Sequence, residues 1–140
     1  PNAGHNLQQK FDDGKFDPLR SVSRAVNGIA AFTRLQIAGK ALPAVAWKHD
    51  TDANGELRLS IDTPDGPKAA RLWVAKSDTR DFRKSKWEER PAKLVPGGKR
   101  AVGGCPVPES GWVALYGEVD YEEGGVRYSL ATQVRVEKAK

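Results

Sequence analysis

The sequence predicts a mainly-β protein: a β-sandwich of about seven strands, immunoglobulin-like or fibronectin III-like, preceded by one long amphipathic α-helix. Three observations predict it. Apolar residues recur at steps of three and four after Asp17-Pro18, then switch to strict alternation after Pro43. Turn residues punctuate the rest of the chain roughly every 8–12 residues. No helical period returns among the alternating segments, which is the pattern of two packed sheets.

The elements follow in order. Residues 1–17 are polar, with Gly4, Gly14 and the acidic pair Asp12-Asp13, and read as a loop. Asp17 suits an N-cap and Pro18 the first helical position, where a missing N–H costs nothing. Leu19, Val22, Val26, Ile29 and Phe32 then form one apolar stripe. Gly39 fits the C′ position and Pro43 bars continuation. Beyond it, 44–48 is a short strand. Residues 55–63 alternate, with Leu57, Leu59 and Ile61 inward. Pro64-Asp65-Gly66-Pro67 is a turn, because Pro fixes one φ and Gly permits a positive one. Residues 69–76 place Ala70, Leu72 and Val74 on one face, Arg71, Trp73 and Ala75 on the other. A strand around 87–94 is interrupted by Pro91, which favours an edge. Residues 100–106 are a further strand, and 112–121 with 126–137 form a hairpin across Glu122-Glu123-Gly124-Gly125.

Composition narrows the classes. The chain has 140 residues with 39% hydrophobic content, enough for one ordinary domain or a small one plus part of another. No apolar run reaches the roughly 18 residues that span a membrane, and no signal-peptide pattern occurs. There is no Met, so a leader or an upstream region is expected to have been removed. Cys105 is the one cysteine, so no intrachain disulfide forms, including the inter-sheet bridge of antibody domains. The net charge of +5 is uneven: residues 68–100 carry eleven basic and four acidic side chains, a net +7. That segment reads as a solvated face with Arg80, Arg83 and Arg90 paired to nearby acids rather than as a nucleic-acid surface.

Few residues suggest chemistry. His5 sits on the turn Pro1-Asn2-Ala3-Gly4 ahead of a long helix, as the last catalytic residue does in many α/β hydrolases. No G-x-S-x-G elbow exists to supply a nucleophile, so the chain alone is expected not to be an enzyme. His5 and His49 are in no metal-ligand spacing, and neither a metal nor a cofactor is expected. Asp50 to Glu56 resembles the start of a calcium loop, but Ile61 stands at its twelfth position, and an acidic hairpin turn is the simpler reading. Arg80, Asp81 and Arg83 form a dense charged loop suited to bidentate pairing, or to holding an anion. Trp73 and Trp87 are candidate binding aromatics that packing could equally claim.

Several segments together carry a family resemblance. Pro1-Asn2-Ala3-Gly4-His5-Asn6-Leu7, Ala41-Leu42-Pro43 with Trp47, Leu72-Trp73-Val74-Ala75 and Arg80-Asp81-Phe82-Arg83 come first. Trp87, Gly111-Trp112-Val113-Ala114-Leu115-Tyr116, Glu118 and Ala131-Thr132-Gln133-Val134-Arg135-Val136 follow in the same order. The chain thereby resembles the C-terminal region of the PhoPQ-activated pathogenicity-related (PqaA-type) proteins. The resemblance implies an upstream α/β-hydrolase-like domain, of which residues 1–40 are the last loop and helix, His5 included. Residues 41–138 are then an immunoglobulin-like sandwich acting as scaffold or recognition domain. It also implies an exported (periplasmic or secreted) parent and, as partner for helix 18–38, the hydrolase-like domain or a second copy. The alternative is a free-standing sandwich that binds a protein, a glycan or an anionic surface.

Overall fold

The computed structural model describes residues 18–139, with side chains from Val22 onward. Helix α1 (Pro18–Ile37) is followed by β1 (Ala46–Thr51), β2 (Glu56–Asp62), β3 (Ala69–Ser77), β4 (Glu88–Pro91) and β5 (Lys93–Leu94). Then come β6 (Arg100–Pro106), β7 (Trp112–Glu123), β8 (Val126–Ala131) and β9 (Arg135–Lys138). The fold is mainly β, in two sheets. One has the order β1-β2-β6-β5; the other has β4-β3-β7-β8, with β9 also on β7. The pairings β1–β2, β2–β6, β5–β6, β3–β4, β3–β7 and β7–β9 are antiparallel.

Among the described residues nine strands stand where about seven were expected, for two local reasons. The expected strand over 87–94 is two strands in different sheets. β4 pairs with β3 and β5 with β6, so the chain changes sheets at Ala92. Pro91 closes β4 at the sheet edge, where its missing N–H breaks no ladder. The expected strand over 126–137 breaks at Thr132. There the Gly117 N–H donates to Thr132 Oγ1 at 3.0 Å, while the Thr132 N–H donates to the Gly117 carbonyl at 2.9 Å. A hydroxyl thus replaces a backbone carbonyl in the ladder, and β9 resumes against Trp112 to Leu115.

By contact density the chain forms two compact units. Among the described residues, one comprises Pro43–Asp120 with 130–139, the other 18–42 with Tyr121–Ser129. In the larger unit, alternation decides the core. Leu57, Leu59 and Ile61 are buried from one sheet, Leu72, Val74, Val113, Leu115 and Val119 from the other. The sheets approach closely at two glycines. A Cβ on Gly117 would strike the Leu59 and Ile61 side chains, and one on Gly103 would strike Leu72. Each sheet therefore lends bare backbone to the other's aliphatic groups. Each such group contributes roughly 1.5–3 kcal/mol, as an upper estimate.

In the smaller unit, α1 ends as its sequence requires. Gly39 has φ 66°, the Lys40 N–H donates to the Leu35 carbonyl (2.9 Å) and the Gly39 N–H to that of Gln36 (3.1 Å). This is a Schellman cap. Arg34 Nη1 donates to the Gly124 carbonyl at 3.0 Å, and Lys40 pairs with Glu123 at 3.1 Å, fixing the helix end to the β7–β8 turn. Tyr121 and Tyr128 stack at 5.9 Å and are buried. The helix buries Ala31 and Leu35, which lie roughly 160° and 120° around its axis from Ile29. Val26, Ile29 and Ile37 are 55%, 68% and 83% exposed, and Phe32 is half exposed. The apolar stripe is thus largely uncovered. The expected N-cap Asp17 and the candidate His5 lie outside the described residues, as does the Leu19 side chain.

Candidate functional site

Two of the side chains singled out from the sequence, Trp73 and Trp87, lie at the face of the second sheet that points away from its aliphatic core. Alternation along β3 sends Leu72 and Val74 inward and Arg71 and Trp73 outward. Register places Trp73 opposite Tyr116 on β7 and Glu89 on β4, and Arg71 opposite Glu118. Glu118 is only 7% exposed. Its Oε2 accepts from Trp73 Nε1 at 2.8 Å and from Arg71 Nη1 at 3.0 Å. Arg71 also donates to Asp120 and lies 3.6 Å from Glu89. One guanidinium therefore serves three carboxylates from two neighbouring strands. Burial pulls the Arg71 pKa down, but the bonds to Asp120 and Glu118 outweigh that, and it is held above the usual arginine value.

Trp87 stands beside this cluster, edge-on to Tyr116 at 5.2 Å and tilted against Phe82 at 6.3 Å. Phe82 belongs to the Arg80–Arg83 loop, which closes on itself. Asp81 receives the Arg83 backbone N–H at 3.0 Å, and its two oxygens accept from Arg83 Nε (3.0 Å) and Nη2 (2.6 Å). Ser77 Oγ donates to the Asp81 carbonyl at 2.9 Å. The Arg83 side chain holds the Asp81 carboxyl down at about 2. Arg80 takes no part in that pairing. Its guanidinium lies 5.8 Å from the Trp112 ring centre, as does Lys138 Nζ, so one indole serves two cations.

The structure thus divides the sequence candidates. Trp73 is a buried hydrogen-bond donor, Trp87 an aromatic contact of the sheet face, Asp81 and Arg83 a loop clamp, and Arg80 a cation on Trp112. The expected pairing of Arg90 is present, at 3.8 Å from Glu88; that of Arg80 is replaced by the indole contact. Arg71, Glu118 and Asp120 were passed over in the sequence. Their signal is two acids two residues apart, following the apolar start of β7 and opposite a strand carrying Arg and Trp at the same spacing. Chemically, the cluster is a clamp, with donors and acceptors already engaged with one another.

The remaining candidate features are accounted for locally. Asp52 accepts from the N–H groups of Asn54 (2.9 Å) and Glu56 (3.0 Å) and from Arg58 Nε and Nη2, which makes 50–56 a hairpin turn. No group of three His, Cys, Asp or Glu among the described residues is arranged to hold a metal. Among them, too, no helix is long and apolar enough to cross a membrane. Cys105 is buried on β6, and burial pushes its thiol above the usual range.

Residues 15–83 match the model of the PhoPQ-activated pathogenicity-related protein family. The match covers α1, β1 to β3 and the Arg80–Arg83 loop, just under half of the chain. No curated protein and no solved structure matches the chain. The PhoPQ-related match includes the Asp81–Arg83 pair and Trp73, whereas Glu118, the acceptor of the Trp73 indole, lies beyond it.

Proposed function

We propose that this chain is a PhoPQ-activated pathogenicity-related protein segment acting as a non-catalytic scaffold, with helix α1 docked on an α/β-hydrolase-like domain. The observation that carries the reading is the uncovered arc of α1. Val26, Ile29 and Ile37 are exposed while the helix end is firmly capped and tied to the β7–β8 turn. Arg24 and Arg34 are placed roughly 140° from Ile29, so the arc is free of charge near its centre. An apolar surface of that kind on an ordered helix is suited to being covered. The family match begins three residues before this helix, and the resemblance carried by residues 1–7, ahead of that match, supplies the occupant: a hydrolase sheet layer, with His5 as its relay histidine.

The strand order supports an immunoglobulin-like assignment for the rest. The sequence β1-β2-β6-β5 facing β4-β3-β7-β8 corresponds to A-B-E-D and C′-C-F-G of that architecture. An exported parent follows from the same family reading.

Co-purification with the hydrolase-like domain of a PhoPQ-related protein tests the docking. A stable complex that Ile29→Glu abolishes is expected. Self-association of the chain through the same face, sensitive to the same substitution, would replace the hydrolase domain with a second copy. The chain itself is expected to be inactive on activated esters, and hydrolysis that vanishes with His5→Ala would overturn the non-catalytic reading.

A further inference from the structure

The connection between β8 and β9 carries a line of hydrogen bonds from the middle of one sheet to the edge of the other. The Gly117 N–H donates to Thr132 Oγ1 (3.0 Å), and that hydroxyl donates to the Gln133 carbonyl (3.0 Å). The same carbonyl accepts from His49 Nε2 at 3.2 Å. His49 belongs to β1, the outermost strand of its sheet, and is paired with inward-facing Leu59. A carbonyl oxygen only accepts, so Nε2 carries the proton and Nδ1 is left as a bare lone pair. That Nδ1 is buried and has no hydrogen-bond partner among the described residues.

We propose that His49 is a pH-sensitive clasp: neutral, it holds edge strand β1 to the β8–β9 connection, and protonated, it lets go. A second proton has to be placed on Nδ1, where there is no acceptor to receive it and little water to solvate it. Among the described residues no carboxylate pairs with the ring. From β2 the ring is faced by Leu57, Leu59 and Ile61, which are uncharged. From the second sheet it meets the Gln133 carbonyl and the field of Arg135, a cation whose guanidinium is shared with Glu137 at 2.7 Å. On β1 itself Lys48 and Asp50 alternate to the opposite face and pair with each other at 2.7 Å.

The electrostatics agree in sign. Burial pushes His49 below the ordinary 6.5, the Gln133 bond pulls it back up, and Arg135 pushes it down again. The unfolded or unclasped chain therefore binds the proton more readily than the clasped one. The clasp is fully present above about pH 6.5 and weakens as pH falls below it. The other edge cannot respond this way, because the chain itself crosses between the sheets at Ala92.

Hydrogen exchange of the β1 amides, with the His49 ring followed by NMR, tests this. Between about pH 7.5 and about pH 5, exchange in β1, corrected for its intrinsic pH dependence, is expected to speed up roughly tenfold. The β3 and β7 amides should hold their protection. His49→Gln keeps a side-chain donor for Gln133 without a titrating group, and should make β1 exchange indifferent to pH. Arg135→Gln should raise the His49 midpoint toward 6.5. A His49 midpoint at or above 6.5 in the native protein would overturn the proposal, and so would the same acid loosening of β1 in His49→Gln. If His49→Gln fails to fold, the Arg135→Gln midpoint decides: an unmoved one counts against the clasp.

Discussion

The sheets and the helix use their apolar residues in opposite ways. In the sheets, Leu57, Leu59 and Ile61 are each 1% exposed, interleaved with Leu72 and Leu115 from the facing layer. Helix α1 buries Ala31 and Leu35 and leaves Val26, Ile29 and Ile37 in water. Both segments carry an apolar pattern of the right period, and both are regular. The difference is that, among the described residues, the alternating pattern finds its complement, whereas much of the helical one does not. A hydrophobic stripe specifies which way an element faces; what it faces must be supplied separately.

Substitutions at the two kinds of position should separate them sharply. Leu59→Ala opens a cavity beside Gly117 and should lower the unfolding free energy by about 2–5 kcal/mol in urea titrations. A cost below about 1 kcal/mol would mean that the sheets collapse around the gap and that their close packing matters little. Glu118→Ala leaves Trp73 Nε1 and Arg71 without their shared acceptor and should cost roughly 1–3 kcal/mol. Glu118→Gln, which keeps an acceptor oxygen, should recover part of that loss. Ile29→Ser should shift the same titration by less than about 0.5 kcal/mol, since its side chain is already hydrated. A loss as large as that of Leu59→Ala would show that the chain covers its own helix in solution, and would erase the contrast. The smallest effect concerns the exposed loop. The Asp81 carboxyl should titrate near 2, and Arg83→Gln should return it toward 3.8 with the fold unchanged, followed by carboxyl NMR shifts.

The legible parts of the fold were those fixed by local pattern. The helix span, its Gly39 end, the alternation in β2 and β3, the Pro64–Pro67 turn and the hairpin across Gly124-Gly125 all depend on neighbours within a few residues. What escaped was non-local. The exchange of sheets at Ala92 leaves no trace in a run that reads as one interrupted strand, because partner strands are chosen by tertiary packing. The break at Thr132 depends on a hydroxyl meeting Gly117, fifteen residues earlier. The candidate site shows the same division. Asp81 with Arg83 is a two-residue pairing and was readable, while Arg71 with Glu118 spans 47 positions and needs the register of β3 on β7. Trp47, Trp73 and Trp112 illustrate the limit. Their identical side chains are respectively part-exposed at an edge, buried as a donor, and shared by two cations.

The passage of the chain from β4 to β5 gives the molecule a spine. Along that side the layers are joined by covalent backbone within a single residue, and along the other by side-chain bonds such as that of His49. Local opening is therefore expected to begin at the β1 margin, with the residues nearest Ala92 the last to exchange.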